Sequence, residues 1–268
     1  MMTLGIQKNK KALSSGVILP LLRKEKPLIK YNKNIKTTPK DGRLHRIYSL
    51  TQYGVKAIAE FMQCEEASLL YPVKDMQFTM DYFHRCDYIS FYITFDKFFS
   101  SEHNDFHIAQ VYHYFDRGRL KIQIDGKNYP PTSIFYNKTD FIGKEQKQKI
   151  EADGIYILDD YKDKKIFVVE VHRSTNTKEI LKQLNNHIEA MTQGATGERF
   201  NMQKGNFLLS VYSARNVLNN VINRIQELPD FQAFSQLFLF ACIEDLQEDF
   251  MNAWIYGNRG KALIFQEM

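Results

Sequence analysis

The chain has 268 residues, 44% of them hydrophobic, 25% charged and 13% aromatic, with 13 Gly and 7 Pro; this fits one large folded domain or two small ones and excludes a disordered, collagenous or coiled-coil chain. Cys64, Cys86 and Cys242 form no close pair, which excludes a disulfide framework or a zinc knuckle, and no run approaches the roughly 18 uncharged apolar residues of a membrane span. The formal net charge of +5 conceals a split: residues 1–48 hold 12 Lys or Arg against Glu25 and Asp41, or +10, and the rest hold 24 against 29, or −5, the footprint of a polyanion-binding segment joined to a domain with another task.

Met1 to Ser15 carries Lys8, Lys10 and Lys11 without the apolar core and cleavage site of a secretory signal, so a cytoplasmic protein with no membrane partner is expected. Gly16 to Leu22 is a short apolar segment. Leu28 to Ile35 has strand composition, Thr37 to Gly42 is a turn signal, and Arg43 to Leu50 alternates Leu44, Arg46 and Tyr48 against Arg43, His45 and Ile47, predicting a two-stranded basic ribbon. Thr51 then caps a helix in which Val55, Ile58, Ala59 and Met62 recur at helical spacing. A basic-tipped ribbon beside short helices has the form of a winged-helix wing. It sets Lys33, Lys36, Lys40, Arg43 and Arg46 against a DNA phosphate backbone, where they add affinity without sequence information; a solvated surface hairpin carries the same residue types. Glu65 to Asp87 reads as a mixed helical connection broken at Pro72, dividing a DNA-binding segment, 1–72, from a second domain, 73–268.

In that second domain His103 to Arg117 places Phe106, Ala109, Gln110, His113 and Tyr114 at helical spacing. A strand at Arg119 to Ile124 with an Asp125-Gly126 turn follows, then a Pro130-Pro131 loop and a charged stretch from Lys144 to Lys149. Gly154 to Leu158 and Lys165 to Val171 are apolar β runs joined by a polar turn, a hairpin. Thr177 to Gln193 is an amphipathic helix, Phe207 to Tyr212 a buried strand, and Ala214 to Glu227 and Ala233 to Gln247 two further helices. The order is helix, three strands, helix, strand, helix, an α/β domain.

Simple hairpin register puts Leu158 opposite Lys165, Ile155 opposite Val168 and Asp153 opposite Glu170. Directly opposed residues share a face, so Asp153 and Glu170 stand about 5 Å apart at the end of an apolar strand pair, with His172 on the same face. Their repulsion calls for a cation between them. A hard divalent ion takes carboxylate and carbonyl oxygens with water, so Asp153, Glu170 and the Val171 carbonyl form a candidate Mg²⁺ site, and His172 is placed to position or deprotonate a nucleophile. Each residue also has an ordinary reading: Asp153-Gly154 as a turn, Glu170 paired with Arg173, His172 as a hydrogen-bonded strand end. Gln183 and the histidines 103, 107 and 113 are more distant candidates.

Ala152-Asp153-Gly154 followed by Glu170-Val171-His172 resembles the D…(D/E)-x-K signature of restriction-endonuclease-like nucleases, with His where Lys is usual. With the N-terminal segment ending Tyr48 to Gly54, the chain resembles, over most of residues 28–230, the replication-relaxation proteins and their MobC-type plasmid mobilisation relaxases. That resemblance implies a restriction-endonuclease-like core of helix, three-stranded meander, helix and strand behind a winged-helix-like segment. It implies a catalytic centre of Asp153, Glu170 and His172 using Mg²⁺ or Mn²⁺. The expected activity is nicking of one strand of double-stranded DNA at a plasmid transfer origin, with an accessory mobilisation protein and a type IV coupling protein as partners. Two other readings stay open: a non-catalytic DNA-binding regulator of plasmid replication or transfer with a degenerate nuclease fold, and a defence nuclease with relaxed sequence choice.

Neutralising Lys36, Lys40 and Arg43 together is expected to weaken DNA binding and to flatten its salt dependence, by up to about 0.9 in log–log slope per lost phosphate contact. Titrations over a salt series check this; unchanged affinity removes the ribbon from the interface.

Overall fold

The structure is a computed structural model and describes residues 13–32, 47–66, 69, 81–100, 106–115, 122–124, 126–139, 142–159, 163–202, 205–262 and 265. The chain divides into two compact units, Met1–Arg85 and Cys86–Met268. Among the described residues no helix is long and apolar enough to cross a membrane.

In the first unit a π-helical turn, Ser14–Ile18, leads into α1 (Leu19–Arg23), and β1 (Ile29–Asn32) pairs antiparallel with β2 (Ile47–Leu50), Ile29 opposite Leu50 and Asn32 opposite Ile47. The α2 helix (Gln52–Met62) starts at Thr51, whose hydroxyl accepts the Gly54 N–H at 3.1 Å, satisfying one of the donors a helix start leaves open. Val55 and Ala59 are its buried face. Lys33, Lys36, Lys40, Arg43 and Arg46 lie outside the described residues, as does the expected boundary at Pro72.

The second unit is α/β. After α3 (Tyr82–Phe99), which begins just before it, come β3 (His107–His113), β4 (Ile122–Ile124), β5 (Lys127–Tyr129), β6 (Ser133–Thr139), β7 (Glu145–Glu151), β8 (Gly154–Asp159) and β9 (Lys164–His172). Then follow α4 (Thr177–Thr192), α5 (Ala195–Arg199), β10 (Asn206–Tyr212), α6 (Arg215–Ile222), α7 (Phe231–Phe234), β11 (Phe238–Cys242) and α8 (Ile243–Glu248). Five strands form a mixed sheet in the order β11-β10-β9-β8-β3. β3, β8 and β9 are successively antiparallel, whereas β10 runs parallel to both β9 and β11. The pairs β4-β5 and β6-β7 are separate ribbons inserted between β3 and β8.

Both sheet faces are covered, so the middles of the central strands are apolar on both sides instead of alternating. Ile155, Ile166, Val168 and Leu208 pack beneath Ile180, Leu184 and Ile188 of α4 and Val217 and Val221 of α6. On the other face Tyr156, Phe167, Val169 and Val211 meet Tyr88, Phe91, Phe95 and Phe99 of α3, together with Phe250 and Trp254. Each such buried side chain contributes about 1.5–3 kcal/mol.

The β8-β9 hairpin has the expected register, Leu158 opposite Lys165 and Ile155 opposite Val168. Three elements differ from expectation, the first being the strand expected over 119–124, whose described part, β4, pairs with β5 in a separate ribbon and not with the hairpin. Residues 107–113 form a strand, not a helix, with a bulge at Ala109 that shifts the register between Ile108 and Gln110. The extra residue lets Phe106 and His113, seven apart in the expected stripe, both face α3, a separation that strict alternation puts on opposite faces and a helix on one. Residues 238–242 form β11 where an apolar helix was expected over 233–247. A run buried on both sides has no alternation to betray it. The charged stretch at 144–149 is the start of β7.

Under the α3 face the Tyr88 hydroxyl stands 2.7 Å from His113 Nδ1 and 3.0 Å from the Tyr156 hydroxyl. Burial pushes His113 down to about 4, so at neutral pH the imidazole is uncharged and able to accept the Tyr88 proton at Nδ1. Between the unfolded value of about 6.5 and about 4 the unfolded chain binds a proton that the native state refuses, so this residue's contribution to stability is present above about pH 6.5 and is lost as pH falls through that window. His113→Gln is expected to be less stable than the wild type at neutral pH and to converge on it towards about pH 4. Urea midpoints across the window check this; a constant gap sinks it.

Candidate functional site

The candidate centre arises where the chain passes from the β6-β7 ribbon into the main sheet. Ala152 N–H still donates to the Thr132 carbonyl at 3.3 Å, whereas Asp153 N–H donates to the Val169 carbonyl at 3.0 Å, and the Asp153 carbonyl accepts from Tyr114 N–H at 3.0 Å. The Asp153 backbone is thus fixed between β3 and β9. Its carboxylate accepts the Val171 N–H at 2.7 Å through Oδ2, serving a β9 donor that lies beyond the first residue of β8. The next residue has to be glycine, because a Cβ at Gly154 would collide with the Tyr88 hydroxyl and the Tyr156 ring.

Along β9 the residues Ile166, Val168, Glu170 and His172 alternate towards the α4 face. Glu170 Oε1 meets His187 Nε2 at 2.8 Å. His187 belongs to the buried stripe of α4, with Ile180, Leu184 and Ile188. In the neighbouring parallel strand Ser210 is registered with Glu170 and Tyr212 with His172. The His172 and Tyr212 rings are 4.9 Å apart, and the Tyr212 hydroxyl accepts from Ser210 Oγ at 2.8 Å. Burial pushes the Tyr212 phenol well above its usual range. Just past the strand ends, Arg173 Nη1 and Ser213 Oγ both donate to Asp87 Oδ2, at 2.7 and 2.6 Å.

Asp153, Glu170 and His172 therefore stand at one end of the sheet, where β9 finishes and β8 begins, and continuing the hairpin register by one residue sets Asp153 opposite Glu170. They are only 8, 7 and 5% exposed, and His187 is 2% exposed. Glu170 bonds to His187, and Arg173 goes to Asp87 instead. Gln183 is exposed, His107 is exposed on β3, His113 is taken up in the tyrosine network, and His103 lies outside the described residues. Sequence reasoning missed His187; its signal was a polar residue at the stripe spacing of an amphipathic helix. Asp87, 86 residues from Arg173, carried no local signal.

Among the described residues no three His, Cys, Asp or Glu side chains are grouped to hold a metal ion. What the site offers is two carboxylates and a carbonyl. In an extended strand the N–H and C=O of one residue point the same way, so the Val171 carbonyl faces the Asp153 side, where its N–H is bonded. A carboxylate has about four lone-pair positions and one hydrogen bond uses one of them. Such a set of hard oxygens fits Mg²⁺ or Mn²⁺ with water completing the shell, and lacks the nitrogen and sulfur donors of a zinc site. No protein-family model, curated protein or solved structure matches the chain.

His187→Ala leaves the buried Glu170 carboxylate without this partner and is expected to cost about 1–3 kcal/mol, whereas His187→Gln keeps a donor and recovers part of the loss. A double-mutant cycle with Glu170→Ala, read by urea unfolding, checks the bond; zero coupling between the two positions denies it.

Proposed function

We propose that the chain is a metal-dependent DNA strand-nicking nuclease with a restriction-endonuclease-like core, acting as a relaxase at a plasmid transfer origin. The observation that carries this reading is an acid at the entry of β8 and Glu170-Val171-His172 at the end of β9, set in the succession α3, β3-β8-β9, α4, β10 with β9 and β10 parallel. In this reading Asp153, Glu170 and the Val171 carbonyl hold Mg²⁺ or Mn²⁺. A bound ion supplies Lewis-acid polarisation of the phosphodiester and lowers the pKa of a coordinated water.

The protein groups do the rest. The Val171 N–H orients the Asp153 carboxylate and His187 orients Glu170, as outer partners do at metal centres. His172 either takes a proton from the attacking water or, as a cation, balances the charge that develops at phosphorus. The low exposure of all three residues keeps bulk water away and strengthens each of these interactions. The basic segment between β1 and β2 then holds duplex DNA by its phosphates, and passage of the nicked strand to an accessory mobilisation protein and a type IV coupling protein completes the role in conjugation.

The same burial favours a second reading. Both carboxylates already hold internal hydrogen bonds, which suits a DNA-binding regulator whose nuclease centre has become structural. A supercoiled-plasmid assay with Mg²⁺ or Mn²⁺ on the wild type, Asp153→Ala and Glu170→Ala decides. The nuclease predicts open circles from the wild type and a loss of about a hundredfold or more in each variant. DNA binding by all three proteins with cutting by none hands the role to the regulator.

A further inference from the structure

A cavity of about 610 Å³ lies apart from the acidic pair, between the β4-β5 ribbon, one face of β6-β7 and the turn from α4 to α5. Its volume falls in the range of small-ligand pockets. Ile122 and Ile124 give it an apolar wall, and Phe135 and Lys147 come from the paired strands β6 and β7. The Lys147 ammonium stands 5.5 Å from the centre of the Phe135 ring. This pair continues into a second one, since Tyr129 packs edge-on to Phe135 with ring centres 4.9 Å apart and has Lys149 5.4 Å from its own centre. Lys149 also pairs with Glu151 at 2.8 Å.

The polar wall is preorganised. The Gln193 side chain is fixed at both ends to the Asn137 backbone, accepting its N–H at 2.8 Å and donating to its carbonyl at 2.6 Å. Arg199 donates to the Ser133 carbonyl at 2.7 Å and to that of Pro131, with its guanidinium 4.5 Å from the Phe200 ring centre. Burial brings Arg199 down to about 10, so it stays charged at neutral pH. Lys147 and Arg199 outnumber Glu198, the one acid among the lining residues.

We infer that this cavity receives one unstacked nucleotide of a DNA strand, its base against Phe135 and its phosphate at Lys147. The inference rests on the reading of the chain as a DNA nuclease and extends it by naming a second contact on the strand. An aromatic face with a cation beside it is the pairing by which single strands are held. The location agrees. Ser133 is registered with Glu151, two residues before Asp153, and Gln193 follows His187 by six residues at the end of α4, about 9 Å of helix rise, or roughly three nucleotides at the duplex spacing.

The test uses the full chain carrying Asp153→Ala, without metal, and a fluorescein-labelled thymidine decamer as the probe, so binding is read independently of cutting. Phe135→Ala is expected to weaken binding about 5- to 150-fold, the range for one stacked base, with Phe135→Tyr restoring it. Lys147→Gln should reduce the salt slope by about 0.7. Thermal unfolding of each variant identifies any that fails to fold, and Phe135→Tyr and Lys147→Gln then carry the comparison. Decamer affinity unchanged by all the folded variants overturns the inference, as does free thymidine monophosphate binding at least as tightly as the decamer. A wild type that cuts while these variants bind normally removes the pocket and leaves the nuclease; one that never cuts while the variants bind weakly does the reverse.

Discussion

A carboxylate placed in a strand that is apolar on both faces has to be compensated where it stands, because water cannot reach it and leaving it bare costs several kcal/mol. Glu170 is in that position, and the surrounding structure reflects it. The α4 helix brings His187 down onto it from a stripe otherwise made of Ile, Leu and Ala. One strand away Asp153 meets the corresponding demand from the backbone, taking the Val171 N–H where the ladder runs out. The centre is assembled from β8, β9, β10 and α4, and each of its two carboxylates is held by a donor from another element.

How much of this could be read from the sequence follows from which periodicities survive. The β8-β9 hairpin was legible to the residue, because a polar turn flanked by two apolar runs fixes the register, and that register locates Asp153 and Glu170. Thr51 was legible as a helix cap for the same kind of local reason. What failed were β3, where one inserted residue converted alternation into an apparent helical stripe, and β11, where burial on both sides erased alternation altogether. His187 left only the trace of a polar residue in an apolar stripe, without its partner 17 residues away, and Asp87, 86 residues from Arg173, left none.

The joint at Ala152 and Asp153 gives the inserted ribbons a significance beyond decoration. Two consecutive amides bond to different sheets there, so the strand that carries Lys147 and Lys149 continues directly into the acid at the entry of β8. The separation between the ribbon and the acidic pair is therefore set by continuous chain and not by a flexible linker.

The bulge at Ala109 carries one more consequence, for behaviour in concentrated solution. β3 and β11 are the margins of the five-stranded sheet, and bare margins invite strands from other molecules to add on. At β11 the Phe240–Ile255 bridge occupies part of the margin with the chain's own C-terminal segment. At β3 the extra residue breaks the even spacing of backbone donors and acceptors that an incoming strand would need. The irregularity that disguised the strand as a helix thus also discourages stacking of one copy's sheet onto another's.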